Sequence, residues 1–179
     1  MTELGKIFIL RKEQINPQNH TGVISYVGLE NIESNSGNLV GEVNTDIKSI
    51  KSIKNVFKKG DILYGKLRPN LNKVWLANIE GICSTDILVL ATKPEYSPEF
   101  YELILRSNDF NEEVLKGLKG AQLPRVSFDY VSKIQIPSVP KEIQNSFSDQ
   151  IKIENQVISS NKKLIEMMEN KISGILTTI

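Results

Sequence analysis

Apolar and polar positions alternate along much of the first half of the chain, which is typical of β-strands with one buried face. Strands are predicted in VISYVGLENI, DILYGKL, KVWLANIEG and ICSTDILVLAT, shorter strands in LVGEV and IKSIKNVF, and a strand or short helix in LGKIFIL. ICSTDILVLAT carries a run of apolar residues, as expected for a central strand that is covered on both faces. This half of the chain therefore predicts a sheet-rich domain.

Helix signals begin at Ser97. In SPEFYELILRS, Ser97 stands at the predicted N-cap, Pro98 at the first helical position and Glu99 in the first turn. NDFNEEVLKGLKG predicts a second short helix that ends near Gly117 or Gly120, and KIQIP predicts a closing strand. The middle of the chain therefore adds two helices to the sheet.

Beyond Pro137 and Pro140, a single periodic stretch predicts one long helix over residues 141–179. Isoleucine recurs every seven residues, and a second set of positions completes a heptad seam, which we define by Phe147, Ile151, Ile158, Asn161, Ile165, Met168, Ile172, Ile175 and Ile179. Glu154 and Asn161 interrupt the seam with polar groups, and a polar residue at such a position commonly fixes the register of a coiled coil.

A helix of about 36 residues would be roughly 54 Å long, more than a small domain can cover with its own surface. We therefore expect the seam to pair with a second helix, and the alternative is an amphipathic helix folded back on its own domain. Together these elements predict an α/β fold class, with a mixed-sheet domain over residues 1–140 and one long C-terminal coiled-coil helix over residues 141–179.

Composition narrows the class of protein without identifying a partner. The chain has 179 residues, of which 40% are hydrophobic and 24% charged, as is ordinary for a soluble globular protein. The net charge is only +1, but eight basic residues and one acidic residue lie between Lys48 and Asn78, whereas six acidic residues and one arginine lie between Glu95 and Glu113. The basic segment is a candidate anion-facing surface.

The sequence offers no recognisable catalytic set. His20 is the only histidine and is predicted to lie at the surface, Cys83 is predicted to be a buried thiol, and Asp86 has no obvious second carboxylate. Zinc-type spacing, phosphate-binding loops and a nucleophile elbow are all missing from the sequence. We therefore predict a non-catalytic binding module without a cofactor or metal, and we expect a cytoplasmic protein with no membrane partner.

Five segments occur in the order and spacing of a known family: ISYVGLENIES, GDILYGKLRPNLNK, GICSTDILVL, GAQLPRVS and KIQIPSVPKEIQ. With the long helix behind them, they resemble the target recognition domains of specificity (S) subunits from type I restriction-modification systems. The resemblance implies a domain that reads one half of a bipartite DNA sequence. It also implies that the protein directs an adenine methyltransferase subunit, which binds S-adenosylmethionine, and a restriction and translocation subunit to that sequence.

Most members of that family carry two recognition domains and two helices, whereas this sequence has one of each. Since an unpaired seam would expose an apolar stripe, we expect an antiparallel homodimer through residues 141–179 that restores the two-domain arrangement, with the same helix docking the methyltransferase. The seam residues expected to carry dimerisation are Phe147, Ile151, Ile158, Asn161, Ile165, Met168 and Ile172. The alternatives are a separately expressed half or a fragment of a longer protein.

The resemblance gives the basic segment a role at double-stranded DNA. Lys66, Arg68, Asn70 and Lys73 are expected on a strand and turn beside the DNA, and Arg125 is either a phosphate contact or a structural cation. Because this segment belongs to the shared pattern, we expect it to position the backbone, and possible base readers are Asn19, His20 and the loop from Asn35 to Asn38. The competing hypothesis is a coiled-coil interaction adaptor that does not bind DNA.

Overall fold

The computed structural model describes residues 1–118 and 123–176, so the predicted seam residue Ile179, the predicted helix end at Gly120 and the start of the GAQLPRVS segment lie outside the described residues. The strands are β1 Thr2–Glu3, β2 Phe8–Leu10, β3 Gln14–Ile15, β4 Val23–Val27, β5 Asn44–Asp46, β6 Lys54–Phe57, β7 Ile62–Gly65, β8 Val74–Leu76, β9 Gly81–Cys83, β10 Ile87–Thr92 and β11 Gln135–Ile136. The helices are α1 Leu4–Ile7, α2 Pro98–Arg106, α3 Asn108–Lys116, α4 Phe128–Val131 and α5 Lys141–Leu176.

Two larger sheets form the body of the domain. One has four strands in the order β2-β10-β7-β8, and the other has five strands in the order β3-β6-β9-β4-β5. The second sheet is mixed, because β4 and β9 pair in parallel while its other pairs are antiparallel. A small antiparallel pair, β1 with β11, joins the start of the chain to the segment that leads into α5. The predicted mixed-sheet α/β domain with a long C-terminal helix is confirmed.

Strand β10 is covered on both faces, as its apolar run predicts. Leu88 and Leu90 point into a core shared with helices α1, α2 and α3, whereas Ile87 and Val89 point into a second core between the two sheets. All four side chains are buried, and each contributes about 1.5–3 kcal/mol by leaving water. One strand thus holds the helical layer and the second sheet together.

The helix signals in the middle of the chain are confirmed. The Ser97 side chain accepts a hydrogen bond from the backbone N–H of Phe100 at 3.3 Å and caps α2. Helix α3 ends at Lys116, so Gly117 is its C-cap. The Tyr130 hydroxyl donates to the carbonyl oxygen of Val114 at 3.2 Å, which fastens the end of α3 to α4.

Three local predictions were wrong. LVGEV forms no strand beyond a single bridge between Leu39 and Ile32, because Gly41 adopts a left-handed backbone with φ of 74°. IKSIKNVF divides into a 3₁₀ turn and β6, and ICSTDILVLAT divides into β9 and β10 around a turn. Helix α4 was not predicted at all, although Ser127 caps it by accepting a hydrogen bond from the N–H of Tyr130 at 3.2 Å.

Helix α5 has 36 residues, and its first turns are fixed to the domain. The Gln144 side-chain oxygen accepts a hydrogen bond from the N–H of Ser97 at 2.7 Å, and the hydroxyls of Ser97 and Ser148 lie 2.9 Å apart. Beyond Lys152, every side chain that the structure describes is exposed, so the helix does not fold back onto its own domain there. Within the described ranges no helix has the length and apolar character required to span a membrane.

Candidate nucleic-acid interface

The basic segment leaves β7 through Lys66 and Leu67 and turns sharply at Arg68. Arg68 has φ of 52° and ψ of 60°, a left-handed backbone conformation, directly before the single 3₁₀ turn that begins at Pro69. This conformation costs an L-residue about 1–2 kcal/mol, and a following proline itself favours extended geometry. Two backbone hydrogen bonds hold it, from the N–H of Arg68 to the carbonyl of Pro124 and from the N–H of Leu71 to the carbonyl of Arg68, both 2.9 Å.

Three segments of the shared pattern meet at this turn. The N–H of Val126 donates to the carbonyl of Lys66 at 3.0 Å, and the N–H of Lys66 donates to the carbonyl of Asp86 at 2.9 Å. The Arg125 guanidinium lies 3.2 Å from the Asp86 carboxylate and is 61% exposed. GKLRPNLNK, CSTDI and LPRVS therefore form one continuous surface, and Arg125 and Asp86 join two of its parts.

Lys73 serves the structure of this surface. Its ammonium donates to the carbonyl oxygen of Leu29 at 2.6 Å, where a 3₁₀ turn begins, and to that of Ile32 at 2.8 Å, directly after the turn. These two hydrogen bonds engage the ammonium group that the sequence predicted to contact DNA. Lys73 therefore fixes the position of the neighbouring loop.

Asn72, which also lies in the basic segment, is buried and has a left-handed backbone with φ of 46°. Its side-chain amide donates to the Asn35 side-chain oxygen at 3.0 Å and to the carbonyl of Arg106 at 2.8 Å. The backbone N–H of Asn35 donates in turn to the carbonyl of Asn72 at 3.1 Å. The loop from Asn35 to Asn38, a predicted base reader, is thereby held beside the basic turn.

Lys66, Arg68 and Asn70 are the polar side chains of the turn that are free to bind a ligand. None of the three makes a side-chain hydrogen bond or an ion pair with any residue in the described ranges. Arg68 and Asn70 are exposed, and Lys66 is half-buried. Arg68 thus combines an unpaired charge with a strained, rigidly held backbone.

A cleft of about 490 Å³ opens beside Arg68. It is lined by Leu29, Glu30, Leu67, Arg68, Leu71, Lys73, Leu123 and Arg125. Its walls are largely leucine, while Arg68 and Arg125 carry positive charge and Glu30 carries negative charge. Because three of its four charged side chains, Arg68, Lys73 and Arg125, are cationic, the cleft favours an anionic ligand.

The other predicted polar residues lie elsewhere. Asn19 is the last residue of a 3₁₀ turn and His20 follows it. The Gln18 side chain of this turn donates to the carbonyl of Ile50 at 2.8 Å, so the turn lies beside the 47–50 segment. His20 is exposed, as predicted. Cys83 is buried as predicted, and this burial raises the pKa of its thiol to about 12. The described residues include no group of three or more His, Cys, Asp or Glu side chains arranged to hold a metal ion.

Two interactions in the charged segments were not predicted. Arg11 donates to both carboxylate oxygens of Asp61, at 2.7 and 2.9 Å, and this pair raises the pKa of the arginine through the hydrogen bond to Asp61. The ammonium of Lys54 is buried 5.7 Å from the ring centre of Tyr26. Both cations belong to the structure of the domain, and spacing along the chain gave no signal for either contact.

The seam residues of α5 are placed in two ways. Phe147 packs edge-on against Phe100 with ring centres 6.0 Å apart, and Ile151 is half-buried beside the domain. The remaining seam side chains are exposed: Ile158 by 52%, Ile165 by 55%, Met168 by 56% and Ile172 by 57%, together with Asn161. The seam therefore begins against the domain and continues as an uncovered apolar stripe.

Comparison with known proteins finds similarity to specificity subunits of type I restriction enzymes. The chain is 29% identical over 109 residues to the specificity subunit of the type I restriction enzyme EcoDI from Escherichia coli, matching 61% of this chain and 24% of the relative. It is 26% identical over 147 residues to the HindI specificity subunit from Haemophilus influenzae, matching 75% of this chain and 32% of the relative. No protein-family model matches the chain.

Solved structures share the fold. The HsdS subunit from Thermoanaerobacter tengcongensis superimposes with a TM-score of 0.75 at 23% identity, covering 91% of this chain and 43% of that one. A chain from a study of complex assembly in a type I R-M system gives a TM-score of 0.76 at 22% identity, covering 94% and 45%. The S subunit from M. genitalium gives 0.60 at 19% identity, covering 92% and 41%. The chain is therefore similar to specificity subunits of type I restriction enzymes, and it spans less than half of the length of those that it matches.

Proposed function

We propose that this chain is a non-catalytic DNA-recognition subunit that directs a type I restriction-modification methyltransferase, and its restriction subunit, to one half of a bipartite DNA site. The observation that carries this proposal is Arg68, an exposed and unpaired cation held in a strained turn where three segments of the family-like pattern meet. Strain that is stored at one rigid surface position is typical of binding and catalytic sites.

Within this proposal the basic turn contacts the DNA backbone. Lys66 and Arg68 neutralise phosphates, while the Asn70 amide binds a phosphate oxygen or a base edge. Arg125 contacts a phosphate from its place beside Asp86, and Lys73 supports the surface from beneath. Discrimination between bases then belongs to the neighbouring loop from Asn35 to Asn38.

Helix α5 provides the surface for dimerisation and for docking of the methyltransferase. Its uncovered seam supports an antiparallel homodimer, in which two copies place two recognition domains at the ends of a paired helix and read a symmetric site. The same helix docks the adenine methyltransferase subunit, which binds S-adenosylmethionine, so this chain needs no cofactor of its own. Such a complex works in the cytoplasm, where its DNA is.

Binding of the full chain to mixed-sequence duplex DNA, followed by fluorescence anisotropy over a range of salt concentrations, tests the DNA role. We expect the logarithm of the association constant to fall linearly with the logarithm of salt concentration, by about 0.9 for each phosphate contact. Weak binding that does not depend on salt would contradict the proposal and favour the interaction adaptor.

Light scattering of the chain, alone and after addition of the methyltransferase subunit of a type I restriction-modification system, tests the assembly. A dimer that binds this subunit is the expected result. A monomer at micromolar concentration that does not bind the subunit would contradict the proposed assembly, and this conclusion does not depend on the result of the DNA-binding assay.

A further inference from the structure

The loop beside the basic turn begins at Asn35, and both backbone polar groups of this residue are bonded. Its N–H donates to the carbonyl of Asn72 at 3.1 Å, and its carbonyl accepts from the Arg106 guanidinium at 3.3 Å. Its backbone is left-handed, with φ of 62°, a conformation that asparagine adopts more readily than most residues. Asn35 is therefore held in one position although it is exposed.

Hydrogen bonds of Asn72 determine which end of the Asn35 side chain remains free. The Asn72 amide nitrogen donates at 2.8 Å to the carbonyl of Arg106, one of the last carbonyls of α2, which lack partners within the helix. Because a carbonyl only accepts, this contact identifies the nitrogen of Asn72, and the Asn35 atom 3.0 Å from that nitrogen must be the side-chain oxygen. The free end is thus the NH₂ group of Asn35, which has no partner in the described ranges.

An ion pair near the end of α2 supports the loop. Arg106 donates to the carboxylate of the buried Glu102 at 2.7 Å. Gly37 lies directly against this pair, because a Cβ at position 37 would come 2.9 Å from the Glu102 carboxylate and 3.0 Å from the Nε of Arg106. Tyr101 and Leu105 anchor the same helix in the core. The loop therefore rests on a rigid element, as a precisely placed hydrogen-bond donor requires.

We propose that Asn35 reads one base of the DNA half-site by donating from its free NH₂ group to the major-groove edge of a guanine or a thymine. The proposal rests on the proposed function and deepens it, because it names the reading residue and the chemistry of the base.

The choice of base follows from the group that Asn35 offers. In the major groove guanine presents N7 and O6 and thymine presents O4, all of them acceptors, whereas cytosine presents only a donor and adenine presents a donor beside its acceptor. An asparagine that binds adenine uses its oxygen and its nitrogen together. The oxygen of Asn35 is already engaged by Asn72, so a donor is what the side chain has left to offer.

Asn38, at the other end of the loop, is placed differently. It lines a cleft of about 1010 Å³ beside α5, together with Ile151 and Lys162 of that helix. Its side-chain nitrogen lies 3.5 Å from the Glu33 carboxylate, so it is held more loosely than the side chain of Asn35. Asn38 is exposed and belongs to the same loop, which makes it a matched control for Asn35.

Replacement of Asn35 by aspartate in the full chain tests the proposal. Asn35→Asp keeps the shape of the side chain, the oxygen that Asn72 binds and the tolerance of a left-handed backbone, but it replaces the donor by an acceptor. The original chain and the variant each select sequences from a random duplex DNA library, and fluorescence anisotropy then measures their affinities for the selected duplexes. We expect the original chain to select guanine or thymine at one position, and Asn35→Asp to prefer cytosine or adenine there by about tenfold.

Asn38→Asp introduces the same charge into the same loop. It should lower the affinity for all duplexes about as much as Asn35→Asp does, and it should leave every selected base unchanged. If Asn38→Asp instead changes the same base in the same way, the effect comes from charge and not from a contact of Asn35, and the proposal is overturned.

Selection of the same bases by Asn35→Asp and the original chain at every position would also overturn the proposal, while salt-dependent DNA binding would leave the proposed function intact. A preference of the original chain for cytosine or adenine at the position that changes would overturn the assignment of Asn35 as a donor. Failure of the original chain to bind duplex DNA at all would overturn the proposed function itself. The two failures are therefore distinguishable.

Discussion

Replacement of Arg68 by glycine and by alanine should separate its contribution to DNA binding from its effect on stability. Both changes remove the guanidinium, which has no partner within the described ranges. If Arg68 contacts one phosphate, either variant should reduce the slope of log affinity against log salt by about 0.9, which is a loss of about eightfold at ~0.1 M salt.

The two variants should differ in stability. Alanine at position 68 retains the strain of φ at 52°, whereas glycine adopts this conformation freely and removes about 1–2 kcal/mol of strain. The greater freedom of glycine in the unfolded chain offsets about 0.4–1 kcal/mol of that gain. We therefore expect Arg68→Gly to be more stable than Arg68→Ala by about 0.5–1 kcal/mol in denaturant unfolding, although both bind DNA equally weakly.

Two matched variants serve as controls. Lys59 is an exposed cation at the opposite end of β7, so Lys59→Ala should leave the salt slope unchanged. Asn70→Ala removes a neutral amide from the same turn and should reduce affinity without changing the slope. An unchanged slope in both Arg68 variants would show that Arg68 does not contact DNA, and equal stability of those two variants would show that its backbone is not strained.

Three further changes test the structure. Asp61→Asn should destabilise the domain by about 2–3 kcal/mol in denaturant unfolding, because the carboxylate accepts both bonds from Arg11 while buried, and a loss below about 1 kcal/mol would contradict this. Gly81→Ala should lower the unfolding midpoint, because its Cβ would lie 2.3 Å from the Ser25 carbonyl oxygen, at a typical cost of about 1–3 kcal/mol; an unchanged midpoint would refute the close approach. Cys83 should resist iodoacetamide at about pH 8 until the protein unfolds, since its raised pKa keeps the thiol neutral; rapid labelling of native protein would show that it is accessible.

Local signals in the sequence predicted the elements that depend on neighbouring residues. The N-cap of α2, the two buried faces of β10 and the single long helix α5 each follow from local sequence patterns, and each is confirmed. The short segments failed where one residue decided the outcome, as at Gly41, whose positive φ ends the predicted strand. Helix α4, with four residues, is too short to show a period at all.

The candidate site was harder to predict, because its contacts join segments that are distant in the chain. The sequence concentrated Lys66, Arg68 and Lys73 in one stretch, but it contained nothing to show that Lys73 would bond to the carbonyls of Leu29 and Ile32. Nor did it show the left-handed backbone of Arg68, which depends on a hydrogen bond to Pro124. A count of basic residues therefore overstates the positive charge that is free to bind a ligand.

If the chain binds DNA as proposed, this division within GKLRPNLNK bears on which residues read the bases. Asn72 and Lys73 face inward, and their side chains form hydrogen bonds with other residues of the protein. Arg68 and Asn70 face outward from a backbone that those contacts hold fixed. A rigidly held cation can bind a phosphate, which is present in every DNA sequence. Such a contact therefore does little to discriminate between sequences. Under the proposed function, we expect selectivity to come from groups beside the turn, and the loop from Asn35 to Asn38 is the segment that Asn72 fixes there. Exchanging that loop, with the turn kept intact, should therefore change the sequence that is bound while preserving the salt dependence of binding.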